Sequence, residues 1–237
     1  MDINLPKLKK VLINQVNKKD VIANNLANVN NVGFKKDVPF FEVLSKKDKA
    51  QVDLTVKTDF SQGDFEKTNN VLDLAIAGDG FFTIEIEGEE AFTRDGHFKL
   101  DQNGTLINSS GNPVIGYQGW VVLTDIEYSK NDISISESGE IFIDDNLIDR
   151  LKISKVEDLT TLEKIGANSF SVKDPSKVFE ATDAIIKQGF LEKSNVNPVE
   201  EMMGLIEIQR QFESTQKIIR SLDETFSAAA NQIGRYT

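Results

Sequence analysis

The chain has 237 residues, 39% hydrophobic and 27% charged, with a formal charge of −11. That is enough for one large domain or two small ones, and it lacks the basic footprint of sequence-independent nucleic-acid binding. Cysteine is absent, which removes disulfides, thiolate metal sites and cysteine nucleophiles together. No apolar run approaches the roughly 20 residues that span a bilayer. Met1 to Lys7 lacks the apolar core of a cleavable secretory signal, so neither membrane insertion nor a cleaved leader is expected. The basic runs Lys7, Lys9, Lys10 and Lys46, Lys47, Lys49 read as solvated faces.

From Leu5 to Val29, the positions Leu5, Leu8, Leu12, Gln15, Lys19, Ile22, Leu26 and Val29 alternate spacings of three and four. This is the seam of a heptad repeat with a polar centre, and it predicts a helix ending near Asn30–Gly33, with Gly33 as a left-handed cap. Asparagines crowd its end. Asn24, Asn25 and Asn28 cost helix propensity, and they either fix inter-helix register as buried amides or mark a frayed, solvated end.

Beyond the helix, Val52 to Thr58 alternates as a strand with one buried face. From Val71 to Ile115 short alternating runs are punctuated by Asp79-Gly80, Asp95-Gly96 and Asn103-Gly104, the grammar of hairpins. Ile133–Ile135, Ile141–Ile143 and Leu151–Ile153 extend the same antiparallel pattern. Ser176 to Glu192 is a return segment of less decided structure.

The last stretch predicts a long helix, capped by Asn195 or Asn197, with Pro198 in its first turn and Glu200 and Glu201 at the positive end of its dipole. Leu205, Ile208, Phe212, Thr215, Ile219, Leu222, Phe226, Ala229 and Ile233 make a narrow apolar stripe that needs partner helices. The predicted fold is therefore α+β: a central antiparallel β-domain, with the N- and C-terminal helices paired as a coiled-coil-like stalk. Its divisions are residues 1–33 (helix), 34–70 (linker and first strands), 71–192 (β-rich domain with the return segment) and 193–237 (helix). Each helix is expected to bury its seam against neighbouring subunits.

Candidate chemistry is thin. His97 is the only histidine; no Gly-x-Ser-x-Gly turn accompanies it, and one histidine cannot build a two-histidine zinc site. A surface residue after the Asp95-Gly96 turn is the simpler reading. Gly78-Asp79-Gly80 lacks the third glycine, the lysine and the helix of a phosphate loop. Asp101 to Gly104 lacks the length and terminal glutamate of a calcium loop. No enzyme, cofactor or metal is predicted.

Three motifs in order carry a resemblance. Ala23–Lys35, then Leu74–Phe82 with Phe92-Thr93-Arg94-Asp95-Gly96, then Gly189–Glu192 with Ser194–Asn197, resemble the signatures of the bacterial flagellar basal-body rod and hook family. Asn197–Met202, Arg210–Glu213 and the short Lys35–Asp59 segment are more similar to its proximal-rod members than to distal-rod or hook-type ones. Gln15–Lys19 departs from the small apolar residues common there.

The resemblance implies a structural subunit of the rod, the drive shaft crossing the periplasm. It also implies passage through the flagellar type III export apparatus without signal cleavage, and partners that are other copies and other axial proteins. On this reading the assembly interface comprises Leu8, Leu12, Ile22, Asn24, Asn25, Leu26, Asn28 and Val29, with Leu205, Ile208, Phe212, Ile219, Leu222 and Phe226. The alternatives are a coiled-coil interaction or adhesin module and, further off, a small hydrolase using His97.

Overall fold

The structure, a computed structural model, describes residues 5–46, 49–123, 132–166 and 168–233. The side chains of the expected seam residues Leu5, Ala229 and Ile233, those of Val52 and Asp53, and the lysines at 7 and 46–49 lie outside the described set. The chain divides into two compact units, one drawn from Met1–Ala27, Asp37–Lys57 and Asn197–Thr237, the other from Asn28–Lys36 and Thr58–Val196. The stretch 34–70 is therefore shared between them, and residues 193–196 belong with the β-rich unit.

The helical unit holds α1 (Leu5–Ala27), the two-stranded ribbon of β1 (Asp37–Lys46) and β2 (Lys49–Thr58), and α2 (Pro198–Ile233). α1 stops at Ala27, earlier than its heptad pattern predicts. Asparagines compete for the backbone there: the Asn31 amide bonds Asn28 O at 3.1 Å and its side chain bonds Asn28 Oδ1 at 2.7 Å, closing a turn in place of another helical one. α2 begins as its sequence predicts. Asn197 Oδ1 accepts from the amides of Val199 (3.0 Å) and Glu200 (3.4 Å), and Pro198 fills the first position, where no amide is needed.

The β-rich unit runs through β3 (Phe65–Lys67), β4 (Leu74–Ala77), β5 (Phe81–Ile86), β6 (Glu89–Thr93), β7 (Lys99–Leu100), β8 (Leu106–Ile107), β9 (Ile115–Gly116) and β10 (Gly119–Trp120). It continues through β11 (Ile133–Ile135), β12 (Glu140–Ile143), β13 (Asn146–Arg150), β14 (Ile153–Val156), β15 (Leu162–Lys164), β16 (Ser169–Val172), β17 (Val178–Glu180), β18 (Ile185–Gln188) and β19 (Phe190–Glu192). The largest sheet has the order β15-β16-β6-β5-β14-β17, and its pairings are antiparallel.

Of the three turn dipeptides, only Asn103-Gly104 closes a hairpin, between β7 and β8. Asp79-Gly80 is a corner where the chain changes sheet, since β4 pairs with β18 while β5 pairs with β6 and β14. Asp95-Gly96 leads β6 past β4, with Leu74 N bonded to Gly96 O at 3.0 Å. The hairpins the dipeptides missed turn on Glu87-Gly88 (φ 54° and 85°) and Asp144-Asp145 (φ 48° and 65°), both positive as a primed turn requires.

The return segment is fully committed. β18 pairs with β4 and β19 with β3, so strands more than 100 residues apart in sequence close the unit. One core gathers Leu74, Ile76, Phe82, Ile84, Leu106 and Ile141, and a second packs Phe60, Phe81, Phe92 and Phe170. The rings meet edge-on, Phe82–Phe98 at 5.0 Å and Phe60–Phe170 at 5.1 Å between centroids, the arrangement favoured by the aromatic quadrupole. No described helix is long and apolar enough to cross a membrane.

Candidate functional site

Within the helical unit α1 and α2 run antiparallel. Asn25 Nδ2 reaches Glu201 Oε2 (3.4 Å), Gly204 leaves room for Ile22, and Gln15 Nε2 donates to Thr215 Oγ1 (3.3 Å). Ile22, Ile208 and Thr215 are buried at this contact; Leu8, Leu12, Leu26, Leu205, Phe212, Ile219 and Leu222 are half-buried. Much of the seam expected to face neighbouring subunits is thus covered inside one chain. At about 1.5 Å per residue the 36 residues of α2 outrun the 23 of α1 by ~20 Å. Phe226, 59% exposed, lies on that overhang. Val29, past the end of α1, is half-buried in the β-rich unit.

The asparagines separate by role. Asn25 is buried, donates to Asp37 O (2.8 Å) and accepts from Asp37 N (2.9 Å), so its amide acts as one rung of a ladder at the start of β1. Asn24 is exposed and Asn28 is half-buried in the turn after the helix. Asn25→Ala removes the bonds that the Asn25 amide makes to the backbone of Asp37 and is expected to cost about 1–3 kcal/mol locally. Amide exchange at Asp37 should accelerate, and an unchanged rate there would remove the clamp from the account.

The β-rich unit contains a cluster that the sequence reading did not single out. Lys35, Arg94 and Glu192 are 1, 5 and 0% exposed. Lys35 Nζ meets Glu192 Oε1 at 2.6 Å, and Arg94 Nη1 meets Glu192 Oε2 at 3.2 Å. One carboxylate faces two cations, and the surplus positive charge is spread over carbonyls: Lys35 also donates to Ser61 O (2.7 Å), and Arg94 donates to Ile76 O (3.2 Å) and Gly78 O (2.7 Å). Arg94 Nε is buried with no partner among the described residues. Burial pulls the pKa of Lys35 and of Arg94 below the ordinary values, and the Glu192 charge opposes that pull.

Asn195 completes the cluster. Its Nδ2 donates to Asp59 O (2.9 Å) and Ser61 O (3.1 Å), and its Oδ1 accepts from Lys36 N (2.8 Å). Gly33 N donates to Glu192 O at 2.7 Å, and Asp59 N to Lys36 O at 2.9 Å. The segments around residues 33–36, 59–61 and 192–195, each within a few residues of a place where the chain leaves this unit, are thereby bonded to one another. A signal for this cluster was present in the sequence: each of the three motifs places a charged residue within two positions of a phenylalanine, in Gly33-Phe34-Lys35, Phe92-Thr93-Arg94 and Phe190-Leu191-Glu192.

The other candidates resolve into structure. His97 is half-exposed, and its Nδ1 bonds Asp73 Oδ1 at 2.8 Å. Asp95 Oδ1 accepts from His97 N, and its Oδ2 accepts from Ser109 Oγ (3.1 Å). Desolvation raises the Asp95 pKa above the ordinary value. Asp79, in the would-be phosphate turn, pairs with Lys155 at 2.8 Å. Asp101 Oδ1 is occupied by the amides of Asn103 and Thr105, both at 2.8 Å. An open groove of about 870 Å³ is lined in part by Tyr117, Phe179 and Ile153; of its charged residues Lys152 pairs with Glu90 and Lys173 with Glu163, and Glu180 accepts from the Tyr117 hydroxyl.

Two family descriptions match the chain: "Flagellar hook protein FlgE/F/G D1 domain" over residues 75–143 and "Flagellar basal body rod FlgEFG protein C-terminal" over residues 187–233. Among similar proteins, the flagellar basal-body rod protein FlgF of Caulobacter vibrioides is 33% identical over 226 residues, covering 91% of each chain. FlgF of Mesorhizobium japonicum is 32% identical over 221 residues, also 91% of each. The rod protein FlgG of Bacillus subtilis is 34% identical over 246 residues, covering 90% of this chain and 92% of its own.

Proposed function

The chain belongs to the flagellar basal-body rod protein family, and from that premise we propose that it is a structural, non-catalytic subunit of the rod, similar in type to FlgF. The observation that carries the reading is that this similarity runs along nine-tenths of the chain, more than the β-rich unit alone spans. FlgF is favoured over FlgG because the same share of this chain aligns with FlgF in 221–226 positions but needs 246 against FlgG, which carries extra length.

In this reading α1 and α2 form a coiled-coil-like terminal domain that packs among other copies and other axial proteins into a tube crossing the periplasm. The β-rich unit stiffens the tube against torque. Entry through the flagellar export apparatus without signal cleavage belongs to the same proposal. A screw-repeated heterologous contact gives such a tube, where an isologous one would close.

The test is Phe212→Asp. Phe212 is half-buried on the α1-facing side of α2, and a carboxylate there carries a desolvation cost that the phenyl ring does not. Cells with this variant as their sole copy are expected to be non-motile and to lack the chain in isolated basal bodies. The purified variant should keep the wild-type urea midpoint reported by Trp120, the lone tryptophan, which lies in the β-rich unit. Motile cells would overturn the reading.

A further inference from the structure

The buried charge cluster is unbalanced. Lys35 and Arg94 both meet one buried carboxylate, Glu192. The next carboxylates, Asp59 and Asp79, lie nearer solvent and pair with Lys36 and Lys155. A buried charge is costly unless it is matched, and here two cations share a single anion. Burial pulls the Lys35 pKa down, and the neighbouring Arg94 charge adds to that pull. A desolvated lysine beside a second cation gives up its proton readily and becomes a nucleophile. The base for that proton is in place, since Glu192 Oε1 lies 2.6 Å from Nζ.

An electrophile lies beside the amine. Lys35 Nζ donates to Ser61 O at 2.7 Å and Asn195 Nδ2 donates to the same oxygen at 3.1 Å, so the two nitrogens are within about 6 Å of each other. The Asn195 amide is held as an acyl group is held for attack. Its Oδ1 accepts from Lys36 N at 2.8 Å, a backbone donor placed to meet negative charge growing on that oxygen. Its Nδ2 is fixed by Asp59 O (2.9 Å) and Ser61 Oγ (3.1 Å) as well. Nζ has only to close on Cγ to the roughly 3–3.5 Å of a near-attack pair, and it stands on a flexible four-carbon stem.

We propose that Lys35 and Asn195 join in an intramolecular isopeptide bond, with Glu192 carrying the protons. Nζ passes a proton to Glu192 and bonds Asn195 Cγ. The Cγ–Nδ2 bond then breaks, and Glu192 delivers to Nδ2 that proton and the second one that Nζ releases. An ammonium and a primary amide become a secondary amide and free ammonium, with no oxidant, metal or cofactor. The positive charge of Lys35 leaves with the ammonium, so Arg94 and Glu192 remain one to one. The structure shows the cluster before the bond closes. Charge also decides against a bond from Lys35 to Glu192 itself, which would consume the carboxylate and leave Arg94 buried alone. The link ties the first segment of the β-rich unit, residues 28–36, to the end of its last, residues 58–196, so a pull on either is borne by a covalent bond. It does not depend on the rod reading, because a chain missing from basal bodies would carry it all the same.

The test is the mass of the purified full-length chain. Folded wild type, incubated at neutral pH, is expected to be lighter than its sequence mass by one ammonia. A succinimide at Asn103-Gly104 loses ammonia too, so a tryptic map must place the loss. The peptides beginning at Asp20 and Ser194 should appear as one linked species, uncut after Lys35. Lys35→Arg keeps the charge without the attacking amine, and it should show the sequence mass and run behind the linked wild type on a denaturing gel. The decisive measurement is on the wild type, so it stands even where a variant fails to fold. Wild type at its sequence mass, or lighter with the two peptides free, overturns the proposal. Loss of one water with Lys35 joined to Glu192 overturns it as well.

Discussion

Glu192→Gln is expected to destabilise the β-rich unit by about 3–5 kcal/mol, the range for removing one partner of a buried ion pair. The substitution keeps the size of the side chain and its ability to accept from Gly63 N and Lys35 Nζ, so packing alone does not predict a large loss. What it removes is the carboxylate that touches both buried cations. Lys35 and Arg94 would then rely on the carbonyls of Ser61, Ile76 and Gly78, which offer dipoles but no charge. A urea melt followed at Trp120 measures the effect.

The same melt on Lys35→Met and on the Lys35→Met, Glu192→Gln pair makes a cycle. The double variant should lose less than the sum of the singles, because each single leaves a charge that the other substitution removes. A Glu192→Gln midpoint equal to wild type would mean that the cluster does not hold the unit through charge. A fully apolar replacement of all three residues is a different experiment, since well-packed apolar substitutes for buried ion triads can equal or exceed them in stability.

Both helices and the β-rich centre were legible in the sequence because each is a local pattern. The three-four spacing of Leu205 to Phe226 and the Asn197-Pro198 start determine α2 within its own length. The strand Phe81–Ile86 is read from its own apolar run. What was not legible is what depends on partners far along the chain. Asp79-Gly80 and Asn103-Gly104 are alike as dipeptides, yet one turns a corner between sheets and the other a hairpin, because β4 finds its partner in β18. The segment from Ser176 read as undecided because β17, β18 and β19 are only three or four residues long, and each pairs with a strand from an earlier part of the chain. The ion cluster has the same character: Lys35 and Glu192 are 157 residues apart, and no periodicity reports their meeting.

Gly33 shows how a correct local reading can miss the reason for a residue. Its left-handed conformation was predicted as a helix cap, and its φ is indeed +65°. The helix, however, ends at Ala27, and the glycine serves a different contact. A Cβ on Gly33 would lie 2.4 Å from the carbonyl carbon of Arg94 and 2.4 Å from the amide nitrogen of Asp95, so the first motif packs its backbone directly on the second. Gly33 N also bonds Glu192 O in the third.

Gly33→Ala therefore meets two obstacles. The left-handed region costs a residue with a Cβ roughly 1 kcal/mol, and the clash is with backbone that cannot rotate away, adding about 1–3 kcal/mol of overpacking strain. The expected result is detachment of residues 28–36, with loss of the Gly33–Glu192 and Asn195–Lys36 bonds, while the Phe82 core stays closed. Amide exchange should rise at residues 33–36 and 193–195 and stay slow at 82–84 and 91–93. Uniform acceleration would mean instead that the junction and the core unfold together. Docking of the first motif would then be part of the β-rich fold itself and not a latch placed upon it.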